Sequence, residues 1–331
     1  MIPILTAIAL ILVMLVLGAE NPAGSIRDFF TGPVSSPYAL GNMLAQTALL
    51  LLTGLGAITA FQVGSFNLGG EGQVYTGAAA AVAAALFLAG TALPAPLAIL
   101  CILAAGTAAG AGIAAVSGLS RMWWNADELI TSFLVGAAAI PAVHYLFQGP
   151  LFDSSANLLR TPYIHERFRL PVLLPPSHLS TAAVAAVICW LLFCLILDRG
   201  VIGSRFRIVG SSPAFAETEG LPVRRIRAEG FILSGALHGA AGSLLVVGMY
   251  HAGIVGFSAG YGWNGIAVAL IAANRPKRLL PAALLFSFVI AGARQTIALN
   301  QLRLDIAPIL QALVFLFITS RIVTGRQEAQ K

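Results

Sequence analysis

Phe61-Gln62-Val63-Gly64-Ser65-Phe66-Asn67-Leu68-Gly69-Gly70-Glu71-Gly72-Gln73 is the stretch on which the fold turns. It lies between two long apolar runs, 40–60 and 74–88. Gly64, Gly69, Gly70 and Gly72 interrupt what would otherwise be lipid-soluble chain, together with the amides of Asn67 and Gln73 and the carboxylate of Glu71. Each glycine costs a helix about 1 kcal/mol relative to alanine, so the cluster predicts a helix break. Broken backbone at membrane depth persists only where it is buried in protein or lines a wet cavity. A carboxylate at that depth points to function. The stretch reads as part of a path for a polar solute.

The surrounding composition sets the class. The 331 residues are 58% hydrophobic and only 10% charged, with a mean hydropathy of +0.88. Soluble domains carry about 25% charged residues, so this is an all-α polytopic membrane protein. At about 20 residues per span there is room for about ten transmembrane helices. They are expected near 2–18, 40–60, 74–90, 96–117, 128–147, 179–197, 228–250, 262–273, 279–297 and 304–322. Met1–Leu17 reads as a retained first span, because no basic residue precedes its apolar run. The 262–273 run is too short to cross a hydrocarbon layer of about 30 Å and reads as a half-helix. No stretch is long enough for a soluble domain, so 1–331 is taken as one transmembrane domain with halves near 1–175 and 176–331 and a cytoplasmic loop over 198–227.

Lys and Arg orient the chain. With the N-terminus in the cytoplasm, Arg121, Arg199, Arg205, Arg207, Arg224, Arg225, Arg227, Arg275, Lys277, Arg278, Arg321, Arg326 and Lys331 all fall inside. Arg27, Arg160, Arg167, Arg169, Arg294 and Arg303 fall outside. That bias fits N- and C-termini in the cytoplasm. It also accounts for the net charge of +6 without nucleic acid. Cys101, Cys189 and Cys194 lie in apolar runs and predict neither a disulfide nor a metal site. No nucleophile–base pair or carboxylate cluster suggests catalysis, so no catalytic residue is expected.

A second break repeats the first. Val255-Gly256-Phe257-Ser258-Ala259-Gly260-Tyr261-Gly262-Trp263-Asn264-Gly265 leads into an apolar run, as 61–73 does. Paired Gly-interrupted segments in corresponding halves point to a midplane pathway and a 5+5 inverted repeat. Candidate pathway residues are Phe66, Asn67, Glu71, Gln73, Trp263 and Asn264. Glu71 has two readings, a solute contact or a cap on the half-helix that follows it. Asn67 and Gln73 can pair with a solute or satisfy broken backbone. The aromatic rings can stack on a base or simply pack. Gly106-x-x-x-Gly110 and Gly235-x-x-x-Gly239 allow close helix approach, within a bundle or in a dimer.

The internal loop 198–227 holds Ser212-Pro213 and Gly220-Leu221-Pro222, start and stop signals for a short helix over Pro213–Glu219. It would present Phe215, Glu217 and Glu219 to the cytoplasm. The external loop 148–178, rich in proline, is either a plain solvated loop or a landing pad for an external protein. No Walker A pattern occurs, since the lysines are Lys277 and Lys331. Any ATP hydrolysis must therefore lie on another chain.

Phe66-Asn67-Leu68-Gly69-Gly70-Glu71-Gly72-Gln73, the run Thr76-Gly77-Ala78-Ala79-Ala80, Gly210-Ser211-Ser212-Pro213 and Ser234-Gly235-Ala236-Leu237-His238-Gly239-Ala240-Ala241-Gly242 carry a resemblance. They resemble the permease subunits of bacterial ABC importers in the branched-chain amino acid/ribose superfamily. The Gly-Gly-Glu-Gly form is similar to the nucleoside-type branch. The likeness spans about 40–320 and is strongest at 61–80 and 210–271. Asn264 and His238 depart from it, standing where the family usually has an acidic and a small residue. The resemblance implies two permease subunits, same or paralogous, two cytoplasmic ATPases carrying ATP and Mg, and an external solute-binding protein. It makes Ser212, Pro213, Phe215, Glu217 and Glu219 a coupling helix. It implies import of a nucleoside, with ribose or another simple sugar and a riboflavin-type vitamin as alternatives. An ion- or proton-coupled secondary transporter is the alternative from another class.

Overall fold

The computed structural model describes residues 21–300, and Val13 ahead of them. The spans expected at 2–18 and 304–322 lie outside the described residues, as do Arg303, Arg321, Arg326 and Lys331. Among the described residues the chain is helical, with no strand beyond two isolated bridges. Each span expected between 40 and 297 finds a helix. These are α2 (Pro37–Gln62), α3 (Gly70–Leu88), α4 (Ala95–Trp124), α5 (Glu128–Gln148), α6 (Ala182–Arg199), α9 (Val223–Leu245), α10 (Tyr261–Ile271) and α11 (Leu279–Asn300). Seven helical stretches among the described residues are long and apolar enough to cross a membrane. The eighth, α10, has 11 residues and spans about 17 Å, roughly half a bilayer core. It is the half-helix that its length predicted.

Two helices lie where loops were expected. In the external segment 19–39, α1 (Pro22–Thr31) is capped by Asn21, whose Oδ1 accepts from the Gly24 amide at 3.0 Å. Its Phe29 is buried, and its backbone rests on Gly292 of α11. In the internal segment, α7 (Val201–Ser211) precedes the foreseen α8 (Pro213–Thr218). Gly203 and Gly210 hide α7 from a propensity reading, but it buries Gly203, Phe206 and Val209 on one side.

The centre of the molecule is α2. Ser36 caps it, its Oγ accepting from the Ala39 amide at 3.2 Å, and Pro37 occupies the first position. Nearly every residue from Ala45 to Ala60 is buried. Around α2 pack α6, α9, α10 and α11, while α3, α4 and α5 complete the other side. The outward faces of α4, α5 and α6 carry exposed Leu100, Val116, Leu134, Leu191 and Leu195, as a lipid-facing surface requires.

The two small-residue motifs meet each other. A Cβ on Gly110 would collide with the Gly235 carbonyl, and one on Gly239 with the Gly106 carbonyl. The motifs are thus used inside the chain, between α4 and α9. Apolar burial drives little between helices in lipid, so close backbone packing supplies the attraction.

The segment after α5, expected on the external side, is held in place by hydrogen bonds. The amides of Thr161, Ile164 and Leu170 donate to the carbonyls of Gly253, His251 and Val247 at 2.9, 2.8 and 2.8 Å, and the Val255 amide donates to Leu159 at 3.1 Å. Arg167 Nη2 donates to the carbonyls of Leu88, Ala89 and Thr91 at 2.9, 3.2 and 2.9 Å, satisfying the end of α3.

Gly239→Leu and Gly112→Leu separate packing from propensity. Both remove a helix glycine, but nothing lies within 4 Å of a Cβ at Gly112. The expected outcome is a loss of about 3 kcal/mol or more for Gly239→Leu and wild-type or better stability for Gly112→Leu, read by thermal unfolding in detergent. Equal midpoints would remove the assigned contact.

Candidate functional site

The first break runs from Val63 to Gly69. Gly64 has φ 74°, and the Ser65 amide turns back to the Ala60 carbonyl at 3.0 Å. The freed backbone needs partners, and Asn67 provides them. Its Oδ1 accepts from the Gly69 amide and from Gln73 Nε2, both at 3.0 Å. Its Nδ2 donates to Gln73 Oε1 at 2.8 Å and to Ser234 Oγ on α9 at 2.9 Å. Asn67 and Gln73 thus form a reciprocal amide pair, 2% and 1% exposed. The Leu68 amide donates to Ser132 Oγ on α5 at 3.1 Å. Ser132 and Ser234 had no signal in the sequence, because a serine in an apolar helix looks the same whether it bonds its own turn or another chain segment.

The second break follows α9, which ends in a π-type turn, Val246–Tyr250. His251, Gly256, Ala259 and Gly260 all have positive φ. Gly260 ends the break and stands at the N-cap of α10, with no side-chain cap of its own. Glu71, on α3, supplies the missing acceptor. Its Oε1 accepts from the Gly260 amide at 3.2 Å and its Oε2 from the Gly262 amide at 2.7 Å. The approach is close enough that a Cβ on Gly262 would collide with the backbone of Gly70 and Glu71.

Glu71 also sits in the first turn of its own helix α3. One carboxylate therefore lies at two helix N-termini, where the partial positive charge of each favours an anion. The capping alternative read from the sequence is present in a different form, since the cap reaches α10 as well as sitting at α3.

The remaining candidates divide by exposure. Asn264 is buried on α10, beside Gly265, which packs on the backbone of Thr53 in α2. Phe66 and Trp263 are half-buried. The Phe66 ring lies 4.7 Å from Phe61 and that of Trp263 6.3 Å from Phe133. A cleft of about 420 Å³ between α2, α6 and α11 is apolar, lined by Leu44, Leu51, Val187 and Leu284 among others, and includes none of the candidates. His238 is wholly buried where Gly56 of α2 and Gly70 of α3 leave room for its ring, and its Nδ1 lies 2.8 Å from the Ser234 carbonyl.

On the cytoplasmic side of the expected topology, Ser212 caps α8, its Oγ accepting from the Phe215 amide at 3.4 Å. Pro213 holds the first position and Gly220 follows with φ 74°. Ala216 anchors this short helix inward, while Phe215 is 53% exposed and Glu217 and Glu219 are exposed beside it.

A family model described as "Branched-chain amino acid transport system / permease component" matches residues 39–319. The chain belongs to this permease family. The "Probable riboflavin import permease protein RfuC" of Treponema pallidum is 33% identical over 97% of this chain and 84% of that one. The glucose ABC transporter permease protein TsgB13 of Haloferax volcanii is 27% identical, covering 96% of this permease and 86% of the relative. The guanosine ABC transporter permease protein NupP of Bacillus subtilis is 30% identical, over 95% and 91%. Proteins of this kind are transport subunits rather than enzymes, in agreement with the sequence reading. The named solutes differ, so likeness alone leaves this permease's own solute open.

Glu71→Ala removes the acceptor of two buried amides and is expected to cost about 2–3 kcal/mol. Glu71→Gln keeps one carbonyl acceptor and loses about half as much. Thermal unfolding gives the ranking, and hydrogen exchange at 260–262 gives the place. Unchanged exchange in Glu71→Ala would mean that the carboxylate does not hold α10.

Proposed function

We propose that this ABC permease carries a nucleoside into the cell through a path shaped by its two helix breaks. The observation that carries the reading is the Glu71 carboxylate, which joins both breaks into one unit. Since α10 spans only about half a bilayer core, its N-terminus lies near mid-depth. Binding sites of transporters built on broken helices lie at that level. In this reading Asn67, Glu71, Gln73 and Asn264 hold the shape of the breaks, and Phe66 and Trp263 border the path. Alternating access follows when the joined breaks change the side they face.

The wider arrangement belongs to the same proposal. It has ten spans in a 5+5 inverted repeat, one domain divided near residue 175, and both termini in the cytoplasm of a bacterial inner membrane. A second permease subunit, the same or a paralogue, completes the path. An external binding protein delivers the solute, and two cytoplasmic ATPases hold ATP and Mg. The exposed Phe215 with Glu217 and Glu219 supports α8 as the coupling helix, because an aromatic anchor on a short rigid helix suits a groove in a partner. A riboflavin-type vitamin is the second reading, favoured by the 33% identity to RfuC; its planar ring system and polyol chain resemble a nucleoside in form.

Uptake of guanosine and of riboflavin by cells holding the whole importer tests the reading. Uptake should persist with an uncoupler while ATP is maintained and stop when ATP is depleted. The reverse result would favour an ion-coupled carrier. Phe215→Asp should cut co-purification of the ATPases and uptake at least about tenfold, a loss typical of an interface anchor. Membrane content of the permease should stay unchanged. Wild-type uptake in this variant would remove the coupling role of α8.

A further inference from the structure

The contact between α7 and the end of α2 has no room in it. A Cβ on Gly210 would collide with the Gln62 carbonyl and reach the Gly64 amide at 3.0 Å. Gly210 is not among the positive-φ residues, so space rather than backbone conformation demands a glycine. From the other side, a Cβ on Gly64 would lie 3.6 Å from Arg227 Nη2. The start of the first break is thus held between α7, which leads directly into α8, and α9. Two complementary groups at this place lack partners. Gln62 Oε1, an acceptor, and Arg227 Nε, a donor, are both buried and unpaired among the described residues. Buried polar atoms are nearly always satisfied, and these two belong to segments that meet at Gly64.

We propose that the Gly210–Gln62 contact is the joint that passes movement of α7 and α8 to the first break, and that Gln62 and Arg227 change partners when it moves. Gly210, Gln62 and Arg227 are positioning residues, acting on the break rather than on solute. The inference rests on the importer reading, since it needs a cytoplasmic engine to move α8. Backbone-to-backbone contact suits the task. A side chain at the joint could absorb a displacement of an ångström by changing rotamer, whereas two main chains in contact cannot.

The test uses membrane vesicles holding the complete importer, with Cys101, Cys189 and Cys194 replaced by serine and Leu68→Cys as reporter in the break. Maleimide labelling is compared before and after trapping nucleotide with vanadate, so no solute is needed. Trapping should change the labelling rate about fivefold or more. Gly210→Ala should leave trapping intact and abolish the change. Gln62→Glu pairs with Arg227 in one state and should hold labelling at a single value, and Gln62→Glu/Arg227→Gln should restore the response. This second pair carries the test if Gly210→Ala does not accumulate. Responses equal to the background in both Gly210→Ala and Gln62→Glu would overturn the joint while leaving the importer intact. A background that traps nucleotide without altering labelling would overturn it too. Absence of trapping in the background would overturn the importer reading and the joint with it.

Discussion

Glu71 satisfies a demand that lipid cannot. The amides at the N-terminus of α10 are buried and have no local side chain to cap them, and an unsatisfied backbone group in hydrocarbon costs several kcal/mol. A carboxylate from α3 takes the amides of Gly260 and Gly262. A carboxyl group at this depth is itself costly, and it is tolerated because two amides at the N-terminus of α10 donate to it. The second break is not self-sufficient and is completed from the helix that follows the first. The reciprocal pair of Asn67 and Gln73, tied to Ser234, meets the same demand for the first break.

Glycine makes these contacts possible. Gly262 admits the backbone of Gly70 and Glu71, Gly265 admits Thr53, and Gly106, Gly110, Gly235 and Gly239 bring α4 and α9 together. Large apolar side chains are turned out toward lipid on α4, α5 and α6, while glycines form the contact between α4 and α9. Such close backbone packing answers the absence of a hydrophobic drive between helices in a bilayer. Cores packed on backbone contacts do not deform gradually.

The parts form a continuous path through the chain. The segment 159–170 is hydrogen-bonded to 247–255, which leads into the second break. Glu71 links that break to the first, and the first rests on α7 through Gly210. α8, with Phe215 exposed, follows α7 directly. Elements that would meet an external partner and a cytoplasmic one are therefore joined by hydrogen bonds and backbone packing, with few flexible side chains between them.

Composition and spacing alone determined the membrane class, the helices from 40 to 297, both breaks, the half-helix α10 and the short helix capped by Ser212. These depend on local rules: runs of apolar residues, clusters of glycine and capping pairs. Helices α1 and α7 escaped, because polar residues and glycines make their segments look like loops and only tertiary packing around Phe29, Phe206 and Val209 stabilises them. The same limit applied to the site. The sequence singled out Glu71, Asn67 and Gln73 as polar groups in an apolar setting, which is a local fact. Which partner each one takes is a matter of distance between segments as far apart in the chain as 71 and 262. Only the folded chain decided that Glu71 reaches across to α10, that Asn67 turns to Gln73 and Ser234, and that the paired glycine motifs pack on each other.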